Sequence, residues 1–219
     1  MRAHYTAELD QLRLQVEVMA VRVDQNLERM RTVLGMGDTR VAALAVEADD
    51  EIDAMNVSLT ERCYDLLRRE QPVAGDLRLV MSVIRITGEL ERIGDLALRV
   101  VKLAPDHGLL ASCTPTWDIV VAMAEEAVER YREAMRAWGT EDLQLATELS
   151  RGSRAMTLLS ERLGGELVGL SGPDAAATAV RTLVAGQALD RIADHAAVMG
   201  ARMRYLITGD PNHLAAEVR

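Results

Sequence analysis

The sequence predicts an all-α protein made of two pseudo-symmetric antiparallel three-helix bundles, six long helices in total. Apolar residues recur at alternating steps of three and four over long stretches, which is the spacing of one helix face. Hydrophobic residues make up 49% of the chain, with no Phe and only 3% aromatic residues. A core of Leu, Val, Ala, Met and Ile suits helix-on-helix packing. Finally, the segment ELERIGDLA at 89–97 returns as ALDRIADHA at 188–196, which indicates internal duplication.

The first half of the chain reads as three long helices. The first is predicted over about 5–34 and the second over about 39–70, with the turn signal GMGD at 35–38 between them. The third occupies 71–101, where one apolar stripe runs the whole length. Pro72 fits the first turn of that helix, because its missing N–H would have no helical partner there.

The second half repeats this plan after a linker. Pro and Gly residues mark the linker, and Thr114-Pro115 fits the start of the fourth helix. Turn signals at 139–140 and 171–174 then separate the fourth, fifth and sixth helices, the last of which ends near Gly209. The predicted domain boundaries are therefore 1–104 for the first bundle, 104–116 for the linker, 115–210 for the second bundle and 211–219 for a tail.

Two carboxylates stand beside the apolar stripe of the third helix. Glu91 and Asp95 are four residues apart, so they lie one turn apart on the same side of the helix. Read toward the N-terminus, their row is apolar and consists of Leu77, Met81, Ile84 and Gly88. Asp190 and Asp194 repeat the acidic pair at a constant offset of 99 residues, which favours a function over a chance cluster.

The hairpin of the second and third helices predicts which residues face the first acidic pair. With the turn centred on Pro72, Asp53 lies level with Glu91, and Asp49 with Asp95; Asp50 is next to them. So many carboxylates at one height repel one another unless a cation lies among them. Oxygen ligands suit Mg²⁺, Mn²⁺, Ca²⁺ or iron. If the helix faces were rotated apart, the same residues would form a solvated acidic patch.

The same register argument, with the turn centred on Gly172, gives a different result in the second half. It places Arg154 opposite Asp190 and Ser150 opposite Asp194, with Arg151 nearby. The expected outcome is an ion pair such as Asp190–Arg154 in place of a metal. Metal binding is thus predicted to be strong in the first half and weak or absent in the second.

Composition argues against several classes of function. A net charge of −9 disfavours nucleic-acid binding, which requires a basic surface. No apolar run approaches the about 20 residues of a membrane span, and the charged N-terminus lacks a signal region, so we expect a cytoplasmic protein without membrane insertion. Cys63 and Cys113 fit neither a disulfide framework nor a zinc module.

An enzyme is not predicted. The four histidines are scattered, no Gly-rich phosphate loop appears, and His195, one residue after Asp194, is expected at the surface or rim.

The motifs GELERIGD at 88–95 and ALDRIADH at 188–195, with QPVAGDLR at 71–78, resemble the PhoU family over nearly the whole chain. The resemblance implies a cytoplasmic protein of two three-helix bundles that regulates phosphate uptake and represses phosphate-starvation signalling. It implies contacts with a phosphate-sensing histidine kinase and with the ATPase subunit of the phosphate ABC transporter. It also implies metal at the repeated motifs, as Mg, Mn, Fe or Zn, and we expect a homodimer.

Residue by residue, Glu91 and Asp95 match the first family motif, and Asp190 and Asp194 the second. Asp50 matches the pattern of the second helix, and Asp53 supplies a carboxylate where that pattern has Asn. The predicted metal ligands are therefore Glu91, Asp95, Asp49, Asp50, Asp53, Asp190 and Asp194. The alternative is a metal-free helical adaptor whose acidic face docks a basic partner.

Overall fold

The protein is all-α in a computed structural model that describes residues 2–217, and no strand occurs within that range. The predicted fold class is confirmed. The helices are α1 Arg2–Met36, α2 Thr39–Glu70, α3 Ala74–Val101, α4 His107–Ala111, α5 Thr114–Thr140, α6 Leu143–Leu149, α7 Arg154–Val168 and α8 Ala175–Thr208, with 3₁₀ turns at Ala104–Asp106 and Pro211–Glu217.

The α2–α3 hairpin is closed by a three-residue connection. Gln71 ends α2 in the left-handed conformation, with φ 48°, and Val73 is extended as the N-cap of α3. Pro72 therefore precedes the helix, so its predicted place in the first turn was wrong; the extended Val73 delays the start of α3 to Ala74. The short connection makes α2 and α3 antiparallel neighbours, which fixes their register.

The predicted fifth helix is divided into α6 and α7. The break contains Gly152 with φ 80°, a left-handed conformation that favours glycine. Ser153 then caps α7 by accepting a hydrogen bond from the Met156 amide at 3.0 Å. The predicted linker also departs from expectation, since the short helix α4 and a 3₁₀ turn occupy much of it.

The two long helices α3 and α8 pack against each other in opposite directions. Glu89 contacts His195, and eleven residues away Arg78 donates to the carbonyl of Leu206. Because the two contacts are equally spaced and run oppositely along the two helices, α3 and α8 are antiparallel. A hydrophobic core extends through both halves of the chain, and the division into two domains stays a prediction.

A second junction between the halves joins α1 to α5. The buried Tyr131 hydroxyl of α5 donates to the Ala20 carbonyl of α1 at 2.6 Å. On the rim, Arg132 bridges Asp24 and Glu28 of α1. Among residues 2–217, no helix is both long enough and apolar enough to cross a membrane.

Candidate functional site

The first acidic motif lies on α3 against the acidic segment of α2. A Cβ placed on Gly94 would lie 3.2 Å from Oδ1 of Asp49, so this carboxylate packs directly on the α3 backbone. Asp49 is only 8% exposed. The close approach explains why α3 has Gly94 where the repeat on α8 has Ala193, since an added methyl group would crowd the Asp49 carboxylate.

Five of the predicted ligands lie close enough together for their charges to interact. Burial first, and then the charges of the neighbouring carboxylates Asp53, Asp95, Glu91 and Asp50, raise the pKa of Asp49 to about 6. Each neighbouring charge that raises the pKa of Asp49 is thus another carboxylate. This is the arrangement that the hairpin register predicts, and it is the electrostatic environment in which a bound cation relieves repulsion.

Two further carboxylates respond to the same neighbours. Burial, followed by the charges of Asp95 and Asp50, raises the pKa of Asp53. Burial and Asp95 also raise the pKa of Glu91, opposed in part by Arg92 and His195. These three carboxylates therefore bind protons at a higher pH than isolated carboxylates do.

The cluster does not form a ready-made coordination sphere. Within residues 2–217, no group of three or more His, Cys, Asp or Glu side chains is arranged to hold a metal ion. Asp50, Asp53 and Asp95 are exposed, so their carboxylates are open to solvent. Their carboxylate oxygens are the donors that hard cations prefer, so the residues fit such an ion chemically.

The second acidic motif has basic neighbours. Asp190 and Asp194 line a cavity of about 360 Å³ together with Arg151 and Arg154, so arginines stand where α2 has carboxylates, as predicted. The expected Asp190–Arg154 ion pair is absent from the described residues, because Arg154 begins α7 and is exposed. Burial, followed by the charge of Asp194, raises the pKa of Asp190.

One buried ionic contact was missed by the sequence analysis. His195 is 14% exposed, at the rim, and its Nδ1 lies 2.5 Å from Oε2 of Glu89, a carboxylate that is 1% exposed. Arg85 and Arg92 also contact Glu89, at 3.2 and 3.3 Å. The sequence held one signal of this contact. Glu89 breaks the repeat, because the equivalent residue on α8 is Ala188.

Residues 16–104 match the family model of the PhoU domain. The chain is 26% identical to the phosphate-specific transport system accessory protein PhoU of Serratia marcescens, over 97% of this chain and 88% of that protein. It is 27% identical to the PhoU homolog 2 of Mycobacterium tuberculosis, over 95% of this chain and 99% of that one. The crystal structure of PhoU from Pseudomonas aeruginosa is similar, with a TM-score of 0.88, 27% identity and coverage of 94% of this chain and 100% of that chain.

Proposed function

We propose that the chain is a member of the PhoU family and a cytoplasmic regulator of phosphate uptake and phosphate-starvation signalling. The observation that carries this proposal is similarity along the whole chain to accessory proteins of phosphate-specific transport. The matched domain covers much of α1 and all of α2 and α3, and α2 and α3 hold the first acidic cluster. The protein acts by contact with other proteins and not by catalysis.

The proposed partners are the ATPase subunit of the phosphate ABC transporter and the phosphate-sensing histidine kinase, and the active form is a homodimer. The support is the family role in regulation together with a charged helical surface. A transport regulator has to bind the transporter or its signalling proteins, and helical bundles offer extended rigid faces for such contacts.

We further propose that the first acidic cluster binds a divalent metal or iron. Asp49, Asp53, Glu91 and Asp95 would hold the ion, with Asp50 beside them. The ion would supply positive charge among carboxylates that otherwise raise one another's pKa. The chain's own residues hold these carboxylates in register on α2 and α3.

The test of the regulatory role is deletion of the gene in its host. The expected result is faster uptake of radiolabelled phosphate in phosphate-replete medium and expression of phosphate-starvation genes under the same conditions. Restoration by the intact gene is the control. Unchanged phosphate uptake and unchanged starvation-gene expression after deletion would contradict the proposal.

The metal proposal is tested by the metal content of gently purified protein, measured by mass spectrometry, and by thermal unfolding with EDTA, Mg²⁺, Mn²⁺ or Fe²⁺. Cation-specific stabilisation that the Glu91→Ala/Asp95→Ala protein lacks supports it. If added cations change the melting temperature only as much as generic salt screening does, the alternative is favoured. That alternative is a metal-free adaptor whose acidic face docks a basic partner.

A further inference from the structure

A row of exposed apolar side chains leads along α3 to the acidic cluster. Leu77 is 40% exposed and Met81 44% exposed, and Ile84 is half-buried on the same row. The rest of α3 is largely buried against its neighbours. This row ends at Glu91 and Asp95, so one stripe of the helix changes from apolar to acidic along its length.

The neighbouring helix α2 shows the same change at the same height. Val57 and Tyr64 are among its most exposed apolar residues. Asp50 and Asp53 precede them on the same face, because the four residues follow one another at steps of three, four and seven. Because Asp49 packs on Gly94 and the helices are antiparallel, Tyr64 lies nearly level with Met81. The apolar ends of the two rows are therefore side by side, and so are the acidic ends.

We call this surface the mixed face, defined by Val57, Tyr64, Leu77, Met81 and Ile84 at its apolar end and by Asp50, Asp53, Glu91 and Asp95 at its acidic end. Eleven residues separate Tyr64 from Asp53 on α2, which corresponds to about 16 Å at 1.5 Å per residue. That length matches three turns of a partner helix.

We propose that the mixed face docks an amphipathic helix of a partner protein that carries apolar residues in one half and Lys or Arg in the other. The apolar half would cover Met81 and Tyr64, and the basic half would lie on the carboxylates, which gives charge complementarity. The basic half would compete with the proposed metal ion for these carboxylates, so binding is strongest in the metal-free protein. Helix-in-groove recognition of this kind uses apolar anchors at helical spacing. The inference rests on the proposed function, in which the protein acts by contact with other proteins.

The second half provides an internal control for this proposal. Val180 and Leu183 are exposed on α8, at the positions that repeat Met81 and Ile84. Their row leads to Asp190 and Asp194, where Arg151 and Arg154 line the same cavity. A basic helix half would meet repulsion from these arginines, so the second half should not accept the same partner.

The experiment uses the full chain in EDTA and two fluorescent 16-residue alanine-based peptides. The block peptide carries leucines on one helical face in its first half and lysines on that face in its second half. The mixed peptide has the same residues with leucines and lysines alternating along the face. Binding is measured by fluorescence anisotropy at moderate ionic strength.

The block peptide is expected to bind more tightly than the mixed peptide. Met81→Ser should weaken its binding by about tenfold, since a buried Met side chain contributes that much or more. Asp95→Asn should weaken binding by about threefold, as expected for an exposed charge pair. The matched variants Val180→Ser and Asp194→Asn should leave the dissociation constant unchanged.

Equal binding of the two peptides, no binding of either, or equal weakening by Met81→Ser and Val180→Ser would each overturn the mixed face as the docking surface. These results are distinguishable from failure of the proposed function. If deletion of the gene alters phosphate uptake while the block peptide does not bind, only the docking face is wrong. If the peptide binds but deletion leaves phosphate uptake unchanged, the regulatory role is wrong.

Discussion

The two copies of the acidic motif occupy equivalent places on α3 and α8, but their surroundings differ in charge. On α3, Asp49 and Asp53 of the facing helix add negative charge to the motif. On α8, Arg151 and Arg154 line the corresponding cavity. The comparison teaches that the motif alone does not define the site, because the helix packed beside it decides whether the motif faces other carboxylates or faces arginines.

A second asymmetry lies in the contact between α3 and α8. Glu89 lies within hydrogen-bond distance of His195 and also contacts Arg85 and Arg92. The repeat places Ala188 and Leu96 at the positions equivalent to Glu89 and His195, and both of these are buried. One end of the junction is therefore ionic and the other apolar. Two segments that match at five of nine positions thus use different interactions to join the same pair of helices.

The largest effect is expected from breaking this junction. Glu89→Ala should lower the free energy of unfolding by about 3 kcal/mol, because it deletes a side chain that is 1% exposed and leaves the half-buried His195 without its hydrogen-bond partner. The double variant Glu89→Ala/His195→Leu copies the apolar end of the junction and should recover much of that loss. Urea unfolding followed by circular dichroism measures both. A double variant as unstable as the single one would contradict the account.

The next effect separates the two acidic motifs by metal binding. A cation at 100 times its dissociation constant stabilises the folded protein by about 2.7 kcal/mol, and Glu91→Ala should abolish this gain. Asp190→Ala should retain it. Thermal unfolding with and without EDTA, together with metal content, measures the difference, and equal loss in the two variants would show that the motifs are equivalent.

A smaller effect is expected from pH. In the folded protein the pKa of Asp49 is raised to about 6 from 3.8, so the folded state binds a proton that the unfolded state does not between these values. Stability in EDTA should rise by about 1 kcal/mol as the pH falls from 7 to 5. Asp49→Asn should flatten this dependence, while replacement of the exposed Asp10 by Asn should not. Chemical denaturation at each pH provides the measurement.

The smallest effect is expected in the second motif. Arg154 is exposed, so Arg154→Ala should change the free energy of unfolding by no more than about 0.5 kcal/mol. A larger loss in urea unfolding would mean that Arg154 forms the ion pair with Asp190 in solution. That result would agree with the Asp190–Arg154 ion pair that the sequence predicts.

The sequence was sufficient where structure depends on local signals. Apolar periodicity and turn residues predicted the long helices, and the three-residue connection at 71–73 made the register of α2 and α3 predictable. The register in turn brought Asp49 and Asp53 to the first motif. These are short-range consequences of chain direction and helix geometry.

The sequence was insufficient where structure depends on docking. Glu89 and His195 are 106 residues apart, and their contact requires knowledge of how α8 lies on α3. The break between α6 and α7 was also missed, because Gly152 and Ser153 resemble residues that helices tolerate on their surface. Only the left-handed backbone of Gly152 and the capping bond of Ser153 reveal the break.

The position of His195 has a consequence for synthesis of the protein. Ribosomes add about 5–20 residues per second, so Glu89 is made about 5–20 s before its partner on α8. During that interval the side of α3 that α8 will cover is open to solvent, where chaperones can bind it. Arg85 and Arg92 lie one turn from Glu89 on its own helix, so the nascent chain already carries the charges that compensate this carboxylate before α8 arrives.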